Sequence, residues 1–147
     1  MERYIETPLT KEKINEISAG DYVYITGTIY TARDAAHLRM TEQMADAIGM
    51  SVSDFLETEN KDDAMKERLR EVLPFDIRDQ IKYYLGPTPA KEGQVIGSAG
   101  PTTSTRMDRY TPALLELGLG GMIGKGKRGS AVTESMKKNN AVYFAAV

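Results

Sequence analysis

Leu119 to Val147 reads LGGMIGKGKRGSAVTESMKKNNAVYFAAV. An apolar run around GMI passes into the glycine-rich GKGKRG. SAVTESMKKNN then has helical composition with Ser130 placed as N-cap, and AVYFAAV is β-like to its end. A strand, a helix and a strand in succession fit the crossover connection that parallel strands need. Upstream, RMDRYTPALLELG predicts another helix. QIKYYLGPTPAKEGQVIGSAGPTT predicts two short strands separated by Pro/Gly turns, each ending in Gly-Pro-Thr. From about residue 95 the order is strand, helix, strand, helix, strand. This is the pattern of a layered α/β domain with parallel pairs.

The first half fits the same class. LTKEKINEISAGD predicts a short helix with Thr10 as N-cap, a Leu9–Ile14 staple and Gly20 at its end. DYVYITGTIYTA alternates like a strand and is interrupted at Gly27, where a turn or close backbone approach is expected. RDAAHLRMTEQMADAIGM sets Ala36, Met40, Met44, Ala47 and Ile48 on one helical stripe closed by Gly49. In SVSDFLETENKDDAMKERLREVL, Met65, Leu69, Val72 and Leu73 share a face of a second charged helix, with Asp62 to Glu71 as its solvated side.

Composition narrows the function. The 147 residues fit one domain with an ordinary core. The net charge of −2 gives no global field for nucleic acid or an anionic membrane, so any anion must be caught locally. The absence of cysteine removes disulfides, thiolate catalysis and self-supplied iron-sulfur ligation. MERYIETPLTKEK has no apolar signal core, and no run approaches the roughly 20 apolar residues of a membrane span. The chain reads as soluble and unexported. The apolar run that reaches Val147 fits either a terminal core strand or a chain whose next element is missing.

In layered α/β domains ligands gather where strands hand over to helices, because helix-start N–H groups favour anions. Three junctions qualify: TARDAAH with Arg33, GPTTSTRMD with Thr102, Thr103 and Arg106, and GKGKRGS with Lys125. An arginine offers a planar fork and a lysine a point charge, and together they suit a small polycarboxylate. Blander readings stand beside these: Arg33 as a solvated surface residue, Thr102 and Thr103 as helix caps, His37 as a packing or hydrogen-bonding residue. One histidine without cysteine or clustered carboxylates builds no metal site. Gly124, Gly126 and Gly129 also match G-x-G-x-x-G, a rival phosphate or nucleotide signal. The acid expected about 20 residues on is missing, since Phe144, Ala145 and Ala146 stand there.

GDYVYITGTIYTARDAAH, GPTTSTRMD and GGMIGKG, in that order, resemble the β region of the iron-sulfur hydro-lyases, class I fumarase and L(+)-tartrate dehydratase. The resemblance covers residues 7 to 35 and 80 to 147, and residues 41 to 75 look like a helical insertion. It implies one swivelling β/β/α domain over residues 1 to 147 that ends before the distal part of the usual domain. It also implies a cytoplasmic enzyme subunit that is active only with an α partner. That partner would hold a [4Fe-4S] cluster, and the assembly would be a homo-oligomer or α2β2. Arg33, Arg106 and Lys125 would bind the carboxylates of a C4 dicarboxylate. Thr102 would be the base, with Thr103 as a substrate contact, while Ser104 and Thr105 keep a capping or packing role.

Overall fold

The computed structural model describes residues 1–86 and 89–146. The Gly-Pro-Thr corner at 86–88 and the last residue, Val147, therefore fall partly or wholly outside the described residues. Among the described residues twelve strands and α-helices follow one another. They are β1 (Glu2–Glu6), α1 (Lys11–Asn15), β2 (Tyr22–Thr26), β3 (Tyr30–Thr31), α2 (Asp34–Ala47), α3 (Val52–Glu57) and α4 (Asp63–Val72). After them come β4 (Ile81–Tyr83), α5 (Thr111–Glu116), β5 (Gly121–Gly124), α6 (Ser130–Asn139) and β6 (Val142–Ala145), with a one-turn 3-10 helix at Ser104–Met107. Strands β3, β4, β5 and β6 form a parallel sheet in that order, and β1 pairs in parallel with β2.

Alternation along the strands gives the larger sheet two covered faces. Ile81 and Ile123 join Ile5, Leu9 and Ile14 in one apolar cluster, beneath the β1–β2 pair and α1. Tyr84 and Met122 face the other way, into the larger cluster with Met40, Met44, Phe55, Leu69, Met107 and Leu114. The order of layers is small sheet, large sheet, helices. The outer face of β1–β2 carries Tyr4, Tyr22 and Tyr24 in the open, with Tyr4 and Tyr24 stacked at 5.0 Å. Residues 41 to 75 contribute Phe55, Leu69 and Leu73 to the main core, so α3 and α4 are packed into the domain.

Several sequence expectations hold and several shift. Thr10 accepts a hydrogen bond from Lys13 N, and Leu9 and Ile14 are both buried. The helix stops at Asn15, because Glu16 and Ile17 already make tighter bonds three residues back, and Gly20 sits in the following turn with φ +92°. A side chain at Gly27 would run into Thr7 Oγ1, which is the close approach expected there. The buried stripe of α2 is His37, Met40, Thr41, Met44 and Ala45; Ala36 is exposed, since the helix faces its core one residue later. The charged segment after it divides into α3, capped by Ser51, and α4, capped by Asp62. α6 starts with Gly129 as N-cap and Ser130 as its first residue.

The strand expected around Gln94–Ile96 does not form. β4 is flanked by β3 and β5 and offers no free edge, and Val95 and Ile96 stand exposed beside Gly93 in a positive-φ turn. β4 itself serves as the first strand of the βαβαβ series. β1 carries no signal in the sequence, because Ile5 is its one buried residue.

Candidate functional site

The site follows from parallel strands. Because β3, β4 and β5 are neighbours and run the same way, the segments leaving their C-terminal ends lie side by side about 5 Å apart. Arg33 follows β3, residues 102–106 lie on the path from β4 to α5, and Lys125 follows β5. Ligands of open α/β sheets bind at this end.

Arg33 occupies the N-cap position of α2 without a side-chain capping bond. Ala32 N donates to Tyr83 O at 3.1 Å, which ties the turn to β4. The arginine side chain runs over Gly86, where a Cβ would stand 3.1 Å from Arg33 Cδ and 3.3 Å from Nη1, so the glycine makes room for it. His37 supports the same turn from beneath. Its Nδ1 lies 2.8 Å from Arg33 O, and a carbonyl only accepts, so Nδ1 carries the proton. The ring stacks on Tyr110 and meets Tyr84 edge-on. Burial, reinforced by the charge of Lys82, lowers its pKa to about 3, which leaves it neutral. This is the hydrogen-bonding role that the sequence offered for His37.

The threonines are set by backbone bonds. Thr102 N donates to Tyr84 O at 2.7 Å, and Lys125 N approaches Thr102 O at 3.4 Å. Thr103 and Lys125 form an isolated parallel bridge, and Ser104 N donates to Lys125 O at 2.9 Å. Residues 102–104 thus pair with Lys125 just past the end of β5, with Thr102 buried and Thr103 exposed next to Lys125. Arg106 reaches the other way, and its Nη2 donates to Asp34 Oδ2 at 2.6 Å. The five expected residues therefore share one end of the sheet. Thr102, Thr103 and Lys125 are joined by the backbone, while Arg106 is joined to the residue next to Arg33. Among the described residues neither Arg33 nor Lys125 takes part in an ion pair. The ledge presents two cations without an ion pair among the described residues and a third held by an acid of its own chain, which is an arrangement able to receive a small dianion.

Sequence reasoning missed three features here. Asp34, Arg106's partner, lies in TARDAAH but reads there as a first-turn helix acid. Ser104 Oγ is within 2.8 Å of the Tyr143 hydroxyl, a contact across 39 residues that no local pattern announces. Arg128, inside GKGKRG, is turned inward: Nε donates to Asp108 Oδ1 at 2.8 Å, Nη1 to Tyr84 Oη at 3.1 Å and Nη2 to Thr111 Oγ1 at 2.9 Å. Gly129 N donates to Asp108 Oδ2 at 2.8 Å, so a carboxylate already occupies the start of α6, where the rival reading would seat a phosphate.

The chain has no cysteine, and among the described residues no three His, Cys, Asp or Glu side chains gather as a metal site. Its donor set does not fit an iron-sulfur cluster.

Comparison with known proteins bears on the family of the chain. The family model described as Fumarase C-terminus matches residues 2–62 and 59–147. A provisionally named L(+)-tartrate dehydratase subunit β of Methanocaldococcus jannaschii is 32% identical over 97% of the chain, which covers 63% of that protein. The L(+)-tartrate dehydratase subunit β of Escherichia coli K12 is 28% identical over 97% of the chain and 60% of its own length. A provisionally named class I fumarate hydratase of Geobacillus stearothermophilus is 29% identical, with 23% of its length covered. The chain thus spans under two thirds of each of these relatives. With parallel strands that lead into the three junctions, and with a family match that runs almost from end to end, the chain belongs to the Fumarase C-terminus family.

Proposed function

We propose that this chain is the β part of a hydro-lyase that reversibly hydrates fumarate to malate. The observation that carries the reading is that Arg33 and Lys125 follow β3 and β5 of one parallel sheet, that Arg106, on the 3-10 turn between β4 and α5, is tied to Asp34 next to Arg33, and that Thr103 is bridged to Lys125. Arg33, Arg106 and Lys125 bind the two carboxylates. Thr102 takes the proton from the carbon next to one carboxylate, and its electron pair spreads into that group as an aci-carboxylate. The pair then forms the carbon-carbon double bond as hydroxide leaves the neighbouring carbon. The cations stabilise the doubly charged carboxylate more than the ground state, which is where they accelerate the reaction. Thr103 holds the substrate.

A threonine hydroxyl is a weak base and needs a carboxylate to receive its own proton. We assign that carboxylate, the acceptor for hydroxide and the [4Fe-4S] cluster to an α partner, so this chain alone is inactive. The reading also takes residues 1–147 as one swivelling domain with residues 41–75 as a helical addition, in a cytoplasmic α2β2 or homo-oligomeric assembly. Among the described residues no helix is long and apolar enough to cross a membrane. The names of the matched β subunits favour a second substrate of the same class, L(+)-tartrate, and a dianion site of three cations accepts either.

The test is to produce the chain with its α partner and assay fumarate hydration and tartrate dehydration side by side. Isothermal titration of the same complex with malate, NAD and ATP runs in parallel. Hydratase activity with malate binding is expected. Tight nucleotide binding without dicarboxylate binding would reject the reading, and sedimentation of the complex tests the assembly.

A further inference from the structure

We propose that Tyr143 is a positioning residue that holds Lys125 in place, an inference that rests on the dicarboxylate site proposed above. Tyr143 lies in β6 opposite Met122 of β5. Its hydroxyl donates to Gly126 O at 2.9 Å. A phenol has one proton, so the second contact, at 2.8 Å, is Ser104 Oγ donating to Tyr143 Oη. Ser104 is wholly buried, and its N–H donates to Lys125 O at 2.9 Å. The carbonyls of Lys125 and of the next residue are thereby tied to two groups distant in sequence, Ser104 and Tyr143, which are hydrogen-bonded to each other.

Three further details fit this arrangement. Gly126 has φ +84°, a conformation that gives the loop its sharp turn directly after Lys125 and that glycine tolerates best. A Cβ on Gly124 would collide with Ser104 Oγ, so glycine there lets the serine enter. Arg128 lies over the Tyr143 ring at 5.2 Å and is itself anchored to Asp108, Tyr84 and Thr111, which fixes the ring. An exposed lysine on a glycine loop would otherwise sample many directions, and ordering it in advance lowers the entropic cost of binding.

The test is a double-mutant cycle read by NMR titration of the labelled chain with L-malate, with thermal unfolding recorded for every variant. Lys125→Ala weakens malate, and Tyr143→Phe, which removes only the hydroxyl, weakens it about 3- to 10-fold. In the Lys125→Ala background Tyr143→Phe has no further effect, because its route to the ligand is gone. Ser104→Ala, which leaves the phenol intact, repeats the pattern with a smaller change and serves if the tyrosine variant unfolds. Normal malate binding by Tyr143→Phe, or losses that simply add, would overturn the positioning role while leaving the dicarboxylate site standing. Normal binding by Lys125→Ala, or no malate-dependent shift in the unaltered chain, would overturn the site and this inference together.

Discussion

Positive charge is handled in opposite ways on the two sides of β4's end. Beneath the strand, Lys82 is completely buried: its ammonium meets Met40 Sδ at 3.8 Å and the Phe75 ring at 5.8 Å, and no acid pairs with it among the described residues. Burial lowers its pKa to about 7. At the strand's exit Arg33, Arg106 and Lys125 stay in water, held by backbone bonds, a glycine-lined path and one carboxylate. A cation that must meet a ligand keeps its hydration until the ligand replaces it; one placed in the core has its charged form disfavoured instead.

The largest expected effect lies on the ledge. Thr102→Ala in the complex with the α partner lowers turnover about 10²- to 10⁴-fold while malate affinity changes little, the range ascribed to a positioned base. Steady-state kinetics with direct titration checks this, and near-normal turnover would remove the base.

Next comes the interior. Unfolded Lys82 keeps its proton up to about pH 10.5 and folded Lys82 only to about pH 7, so between these values the unfolded state binds more protons. Stability therefore rises with pH across that window, by at most roughly 1.4 kcal/mol per unit. His37 acts in the same direction lower down: its contribution is complete above about pH 6.5 and fades as the pH falls toward about 3. Lys82→Met should unfold at higher urea than the parent at pH 7, with the difference shrinking by pH 9.5. A constant difference across that range would mean that Lys82 is charged or solvated in the native state.

Arg106→Ala weakens malate about 10- to 100-fold in titration, the range of a charge-assisted bond, and lowers turnover as well. The smallest change concerns its partner. Asp34 and Arg106 are about half exposed, so Asp34→Asn alters unfolding free energy by less than about 1 kcal/mol. A larger loss in urea denaturation would show that the pair is part of the scaffold.

The two sides of this contrast were not equally legible in the sequence. The ledge residues stand at strand-to-helix junctions, and the alternation of apolar runs with glycine and capping residues marks those junctions locally. What joins them is not local: Arg106 meets Asp34 across 72 residues and Ser104 meets Tyr143 across 39. The interior was harder still, because Lys82 sits in IKYYL, where alternation shows a strand but not which face is sealed by α2. The same blindness put Ala36 on the core stripe in place of His37. Gln94–Ile96 had strand composition but no edge to join, a condition set by β3 and β5 rather than by its own residues.

The open tyrosine face of the small sheet gives the molecule an optical consequence. The chain has no tryptophan, so its near-ultraviolet emission comes from eight phenols. Tyr4, Tyr22 and Tyr24 stand open to collisional quenchers, whereas Tyr84 is sealed beside the candidate site. Iodide should extinguish the first group and leave a residual glow from the second, so that events at the two poles of the molecule can be followed separately without any attached dye.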